Sequence, residues 1–192
     1  SAEANRPPSV QAQGGTFIGL ANPGLTWRMV AEDVWARSHD QRPDLLAGWL
    51  RRPNERDPAL PQGAGQERAV GRGVTLSSVK QLRAVLESAH SRMAAGGANS
   101  LRPLAAAFGG NIEISSEPLV FIVSSMAGGS GASMVLDVPL VLATIDPNLG
   151  KSTAMFLYTS EVFGYLPKAS RRGVEANGLA MMGELLATSL GS

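Results

Sequence analysis

Apolar residues fall in distinct rhythms along the chain. Trp27, Val30, Ala31, Val34 and Trp35 recur at the 3–4 residue spacing of a helical stripe, and Thr26 is placed to cap that helix. Asp44 can cap a shorter helix over Leu45 to Arg51. Val79, Leu82, Leu86 and Met93 share one face of a helix predicted from about Ser77 to Ala95, with Gly96 and Gly97 as its stop. Thr16 to Leu20 has the length and composition of a strand, and Ile112 and Ile114 alternate with polar neighbours as a strand edge does. Pro118 opens the β-rich run Leu119 to Val123, whose unbroken apolarity predicts burial on both faces of a parallel sheet. A helix over about Ala132 to Thr144 follows, then a strand over Ala154 to Tyr158 and a last helix over about Ser170 to Ala187. Strand, glycine turn, helix, strand and helix in that order predict an α/β layer fold, a parallel sheet flanked by helices. The chain has no internal repeat.

At 192 residues the chain suits one domain, with residues 1–13 as a polar, proline-containing arm and 14–192 as the folded part. Its net charge of +1 lends no support to a nucleic-acid partner. There is no cysteine, which removes disulfides, thiolate metal sites and cysteine nucleophiles together. With histidine only at positions 39 and 90, no metal-ligand set is expected. No apolar run approaches the ~20 residues of a membrane span, and the first residues have neither a basic start nor a hydrophobic run. A cytoplasmic location is the resulting expectation. Glycine departs from the ordinary, with 22 residues that cluster.

The stretch from Val120 to Met134 carries the most chemistry. A strand feeds a turn containing Gly128, Gly129, Ser130 and Gly131, and a helix begins at once. Glycines permit positive φ and close approach of an anion to the amides, while the helix behind offers unpaired N–H groups. Phosphate suits such a turn, with Ser130 and Ser133 as further donors. The same letters also suit a ligand-free tight turn. A dinucleotide fingerprint fails because Met134 stands where its third glycine belongs. Gly150-Lys151-Ser152 does not complete a P-loop, since Ile145 replaces the first glycine and the segment lies between helix and strand. Gly128 to Ala132 also looks like the nucleophile elbow of α/β-hydrolases, with Ser130 as nucleophile, but both histidines precede it.

The long connection from Arg52 to Gly73 holds a second glycine cluster, Gly63-Ala64-Gly65, followed by Arg68 and by Gly71-Arg72. A backbone nest for an anion is one reading, with Arg68 and Arg72 as donors to phosphate oxygens; a solvated surface loop is the other. Taken together, the two loops resemble the tubulin/FtsZ nucleotide-binding domain. There a Gly-Ala-Gly loop and a Gly-Arg pair precede a buried strand and a G-G-G-T-G-[ST]-G signature. The similarity is closest to the large bacterial tubulin-like proteins, whose loops read near G-A-G-Q-x-R-A-x-G-R and S-x-x-G-G-[ST]-G, and it covers roughly Pro61 to Leu186.

The resemblance implies that Ala127, Gly128, Gly129, Ser130 and Gly131 cradle the α- and β-phosphates of GTP or GDP, accompanied by Mg2+. It implies that Gly63, Ala64 and Gly65 face the terminal phosphate. Thr159 to Phe163 takes the place of the ribose-facing loop, with Glu161 on a ribose hydroxyl, Arg171 or Arg172 beside it, and Asn177 toward base or sugar. Ala127 and Ala132 depart from the family's glycines, Pro139 interrupts the following helix, and no first glycine loop is identifiable. The chain also stops before the family's central helix and activation domain, so an incomplete nucleotide-binding domain is expected, with hydrolysis only in a complete, assembled protein. Self-association or protein partners follow from the same resemblance. Two other functions stay open: a structural or interaction module that keeps the fold without nucleotide, and a serine hydrolase using Ser130.

Overall fold

The computed structural model describes residues 15–20, 24–38, 60, 64–107 and 118–190. The N-terminal arm, the helix expected at Leu45 to Arg51, the strand edge at Ile112 and Ile114, Gly63 and His39 lie outside the described residues. Helix α1 spans Trp27–Ser38, α2 Arg68–Ser77 and α3 Val79–Ala107. Strand β1, Val120–Ser125, leads through α4, Gly131–Ile145, and the single turn α5, Pro147–Lys151, to strand β2, Thr153–Tyr158. Two 3-10 turns, Ser160–Phe163 and Lys168–Arg171, then precede α6, Val174–Ser189.

The strands pair in parallel, with Val120 opposite Thr153 and Ser125 opposite Tyr158. A parallel pair requires a crossover, which α4 and α5 supply. The expected α/β class is therefore the observed one: a small parallel sheet with helices packed on it. Helix α4 continues through Pro139, which has no N–H to return to the preceding turn. Asp146 stops α4 and starts α5, its carboxylate accepting from the Asn148 amide at 2.9 Å with Pro147 as the first helical residue.

Two apolar clusters hold these elements. Trp27, Val30, Ala31 and Val34 of α1 bury the predicted stripe against Leu60, Ala64, Val70 and Val74. Gly73 makes the α1–α2 contact possible, since a Cβ there would lie 2.7 Å from the Trp27 ring. The second cluster joins Met126, Val135 and Met181, with Ile122 and Leu157 from the inner face of the sheet.

Four expectations are corrected. Arg68 to Gly73, expected to lie in a connection, already belong to α2. Helix α3 does not stop at Gly96 and Gly97 but runs to Ala107, because Gly96 keeps a right-handed backbone rather than the left-handed one of a helix stop. Residues 16–20 form no strand; the Ser78 hydroxyl donates to the Leu20 carbonyl at 3.1 Å. The β1 run is covered on one face only: Phe121 and Val123, with Phe156 and Tyr158 beside them on β2, stay exposed. Ring centroids of Phe121 and Phe156 lie 5.8 Å apart on that open face.

Candidate functional site

The two glycine clusters meet. The Gly129 amide donates to the Gly65 carbonyl at 2.9 Å. Gly65 has φ of +56°, the left-handed conformation that turns the chain into α2. In the 128–131 turn no glycine takes positive φ, so the conformational freedom expected there is not what these glycines supply. Three of the glycines are needed for space instead. A Cβ on Gly129 would lie 2.7 Å from the Glu67 nitrogen and 2.9 Å from the Ala64 oxygen. One on Gly71 would lie 2.4 Å from the Gly129 oxygen, and one on Gly131 would lie 2.6 Å from the Ser124 hydroxyl. Gly128 differs, because its added Cβ would meet only the Phe163 ring, at 3.8 Å.

The donors divide into committed and open ones. The Ala127 amide donates to the Ser125 hydroxyl at 3.1 Å, and its side chain is fully buried. Ser133 is buried too, its hydroxyl donating back to the Gly129 and Ser130 carbonyls, so it is not an outward donor. Among the described residues, the amides of Gly128, Ser130 and Gly131 have no protein acceptor. These three lie at the N-terminus of a 15-residue helix, where the macrodipole amounts to roughly half a positive charge. An anion placed there gains charge-assisted bonds that the protein itself does not satisfy.

Arg68 and Arg72 do not face this turn. Arg68 is buried, its Nε donating to the Ala132 carbonyl at 3.1 Å and its other nitrogens paired with Glu184, Nη1 to Oε1 at 3.0 Å. Arg72 pairs with Asp137 at 3.0 Å. The second Asp137 oxygen is buried without a hydrogen-bond partner, and burial raises its carboxyl above the ordinary aspartate value of 3.8 despite Arg72. The arginines thus tie α2 to α6 and α4.

An open cleft of about 480 Å³ is lined by Ser160, Glu161, Gly164, Arg171, Val174 and Glu175. Glu161 is exposed on the 3-10 turn that also carries Phe163, whose ring is the neighbour a Cβ on Gly128 would meet. Asn177 points elsewhere. It is buried, and its amide nitrogen donates to the carbonyls of Gln66 and Ala127, both at 2.8 Å. The role of this asparagine as a joint between loops was not readable from sequence, because its partners lie far off in the chain.

For the elbow reading, Ser130 has an ordinary right-handed backbone, φ −73° and ψ −55°, rather than a strained one. His90 Nε2 lies 3.9 Å from Asp146 Oδ2 at the opposite end of α4, roughly 22 Å of helix away from Ser130. The pair does not form a nucleophile and base.

A parallel strand feeding a glycine turn and a helix, backed by a second glycine loop, defines an α/β domain with a glycine turn of open amides at the carboxyl end of its strand. The chain belongs to the tubulin-like family, whose model, described as tubulin like, matches residues 20–191. No curated protein and no solved structure matches it. Among the described residues, no helix is long and apolar enough to cross a membrane.

Proposed function

We propose that the chain binds a purine nucleotide, GTP or GDP, as part of a self-assembling protein of the large bacterial tubulin-like type. The observation that carries this reading is the set of three acceptor-free amides, Gly128, Ser130 and Gly131, at the start of α4. They take the α- and β-phosphates. Glu161, which lines the cleft, takes a ribose hydroxyl there, and Gly65, bonded to Gly129, borders the phosphate end. An accompanying Mg2+ would take its ligands from phosphate oxygens and water, as that ion commonly does. The bound nucleotide supplies the phosphoanhydride for any hydrolysis; the chain's own residues bind, orient and shield it.

Ligand binding to the folded state stabilises by mass action, about 2.7 kcal/mol at a hundred times Kd. That corresponds to a rise in Tm of roughly 5–10 °C for a chain of this size. Thermal unfolding with GTP, GDP and ATP, each with magnesium, measures it. No shift with any of them at millimolar concentration removes the reading. A second reading, a structural module without nucleotide, is favoured by the Gly129 amide, which Gly65 already satisfies. Mass spectrometry of small molecules released from the purified, denatured protein separates the two.

A further inference from the structure

The start of α6 is fastened to both glycine loops at once. The Asn177 amide nitrogen donates to the carbonyls of Gln66, one residue after Gly65, and Ala127, one residue before Gly128. In return the Gln66 side-chain oxygen accepts from the Gly173 amide at 2.7 Å. Gly173 must be glycine for this approach, since a Cβ would lie 2.8 Å from the Gln66 Cβ. Arg171, Val174 and Glu175, which bracket Gly173, form one wall of the cleft. Two side chains therefore fix the distance between the acceptor-free amides and the cleft.

We infer that Gln66 and Asn177 are positioning residues that set the spacing between a phosphate subsite at the glycine turn and a nucleoside subsite in the cleft. The inference rests on the nucleotide reading above. Asn177 is buried with both donors spent inside the protein, and the Gln66 side-chain oxygen is spent on the Gly173 amide. A ligand that spans both subsites gains from their fixed geometry, because the second contact becomes intramolecular. One that occupies the turn alone does not. Loosening the junction thus selectively penalises the bridging ligand.

The test compares the unaltered chain with Gln66→Ala and Asn177→Ala by calorimetry, using GDP (or ADP, if that binds instead) and inorganic pyrophosphate. Gln66→Ala removes the side-chain bond to Gly173 and leaves the Asn177 bonds, which go to the backbone carbonyls of Gln66 and Ala127, so it keeps the question answerable if Asn177→Ala does not fold. Nucleotide affinity is expected to fall about fivefold in Gln66→Ala and at least tenfold in Asn177→Ala, the scale of one and two lost hydrogen bonds. Pyrophosphate affinity is expected to stay within about twofold. Equal loss for both ligands, or loss for neither, overturns the inference while the nucleotide reading stands. Nucleotide binding without pyrophosphate binding in the unaltered chain overturns it as well. If the unaltered chain binds no nucleotide, the functional reading falls and the inference with it.

Discussion

The amide of Gly129 donates to the carbonyl of Gly65 at 2.9 Å, and the backbones on either side leave no room at Gly129 for a methyl group. The glycine signature is thus two requirements superposed: loop against loop at Gly129 and Gly71, and an open face at Gly128.

Alanine substitutions separate these requirements. Gly129→Ala and Gly71→Ala force a Cβ against backbone atoms at 2.7 and 2.4 Å, and each is expected to cost ~1–3 kcal/mol or more in urea unfolding. Gly128→Ala meets only a ring edge at ordinary contact distance, so its stability is expected to stay within ~0.5 kcal/mol. If all three unfold at the same midpoint, the packing account fails.

At Gly65 the constraint is conformational. Its φ of +56° leaves open space for a Cβ, so Gly65→Ala costs about 1–2 kcal/mol from the left-handed backbone alone. Gly65→Asn recovers much of that loss, because asparagine tolerates the conformation. Denaturant midpoints of the two variants check the order.

Arg68 is a buried cation whose partner Glu184 is partly exposed. Arg68→Ala leaves the carboxylate able to turn toward water, so the loss is expected near ~2–3 kcal/mol, at or below the range for breaking a fully buried pair. Arg68→Met restores part of it by keeping apolar contact around Met181. Calorimetric Tm values in that order support the assignment; a neutral Arg68→Ala contradicts it.

Asp137 gives a pH signature of defined sign. Burial raises its folded-state carboxyl above the unfolded value, so the folded chain holds this proton more tightly. Its contribution to stability is therefore most favourable below about 3.8, declines as pH rises toward the folded value, and is flat above it. Asp137→Asn deletes the titration. The variant's stability relative to the unaltered chain is expected to improve between pH 4 and pH 7, whatever its offset at either pH. Urea unfolding of both chains at the two pH values reads the difference, and an unchanged difference refutes the account.

Much of the fold was legible because its signals are local. The α1 stripe, the strand–turn–helix at Val120 to Ile145 and the strand ending at Tyr158 each depend on neighbours within one or two turns. The family resemblance also rests on two motifs read as a pair, but the bond between Gly65 and Gly129 is visible only in the structure. What escaped depends on distant partners. Arg68 and Arg72 follow a glycine loop and read as phosphate ligands, yet they are neutralised by Glu184 and Asp137, 116 and 65 positions onward. The resemblance implies a ligand-facing Asn177, yet its donors go to the carbonyls of Gln66 and Ala127, 111 and 50 positions back. Gly96 was read as a stop because sequence does not reveal which dihedrals a glycine adopts. The apolar run of β1 could not say that Phe121 and Val123 face outward, since a run without alternation carries no information about sides.

The junction at Asn177 also orders events in time. During synthesis the Gln66 loop emerges first, the Gly129 turn later, and the asparagine that binds both 111 positions after Gln66. At ~5–20 residues per second, roughly 6 to 22 s pass between the first partner and the last. Until then the two glycine loops lack their common anchor. On the ribosome, the two glycine loops gain that anchor only after Asn177 has emerged.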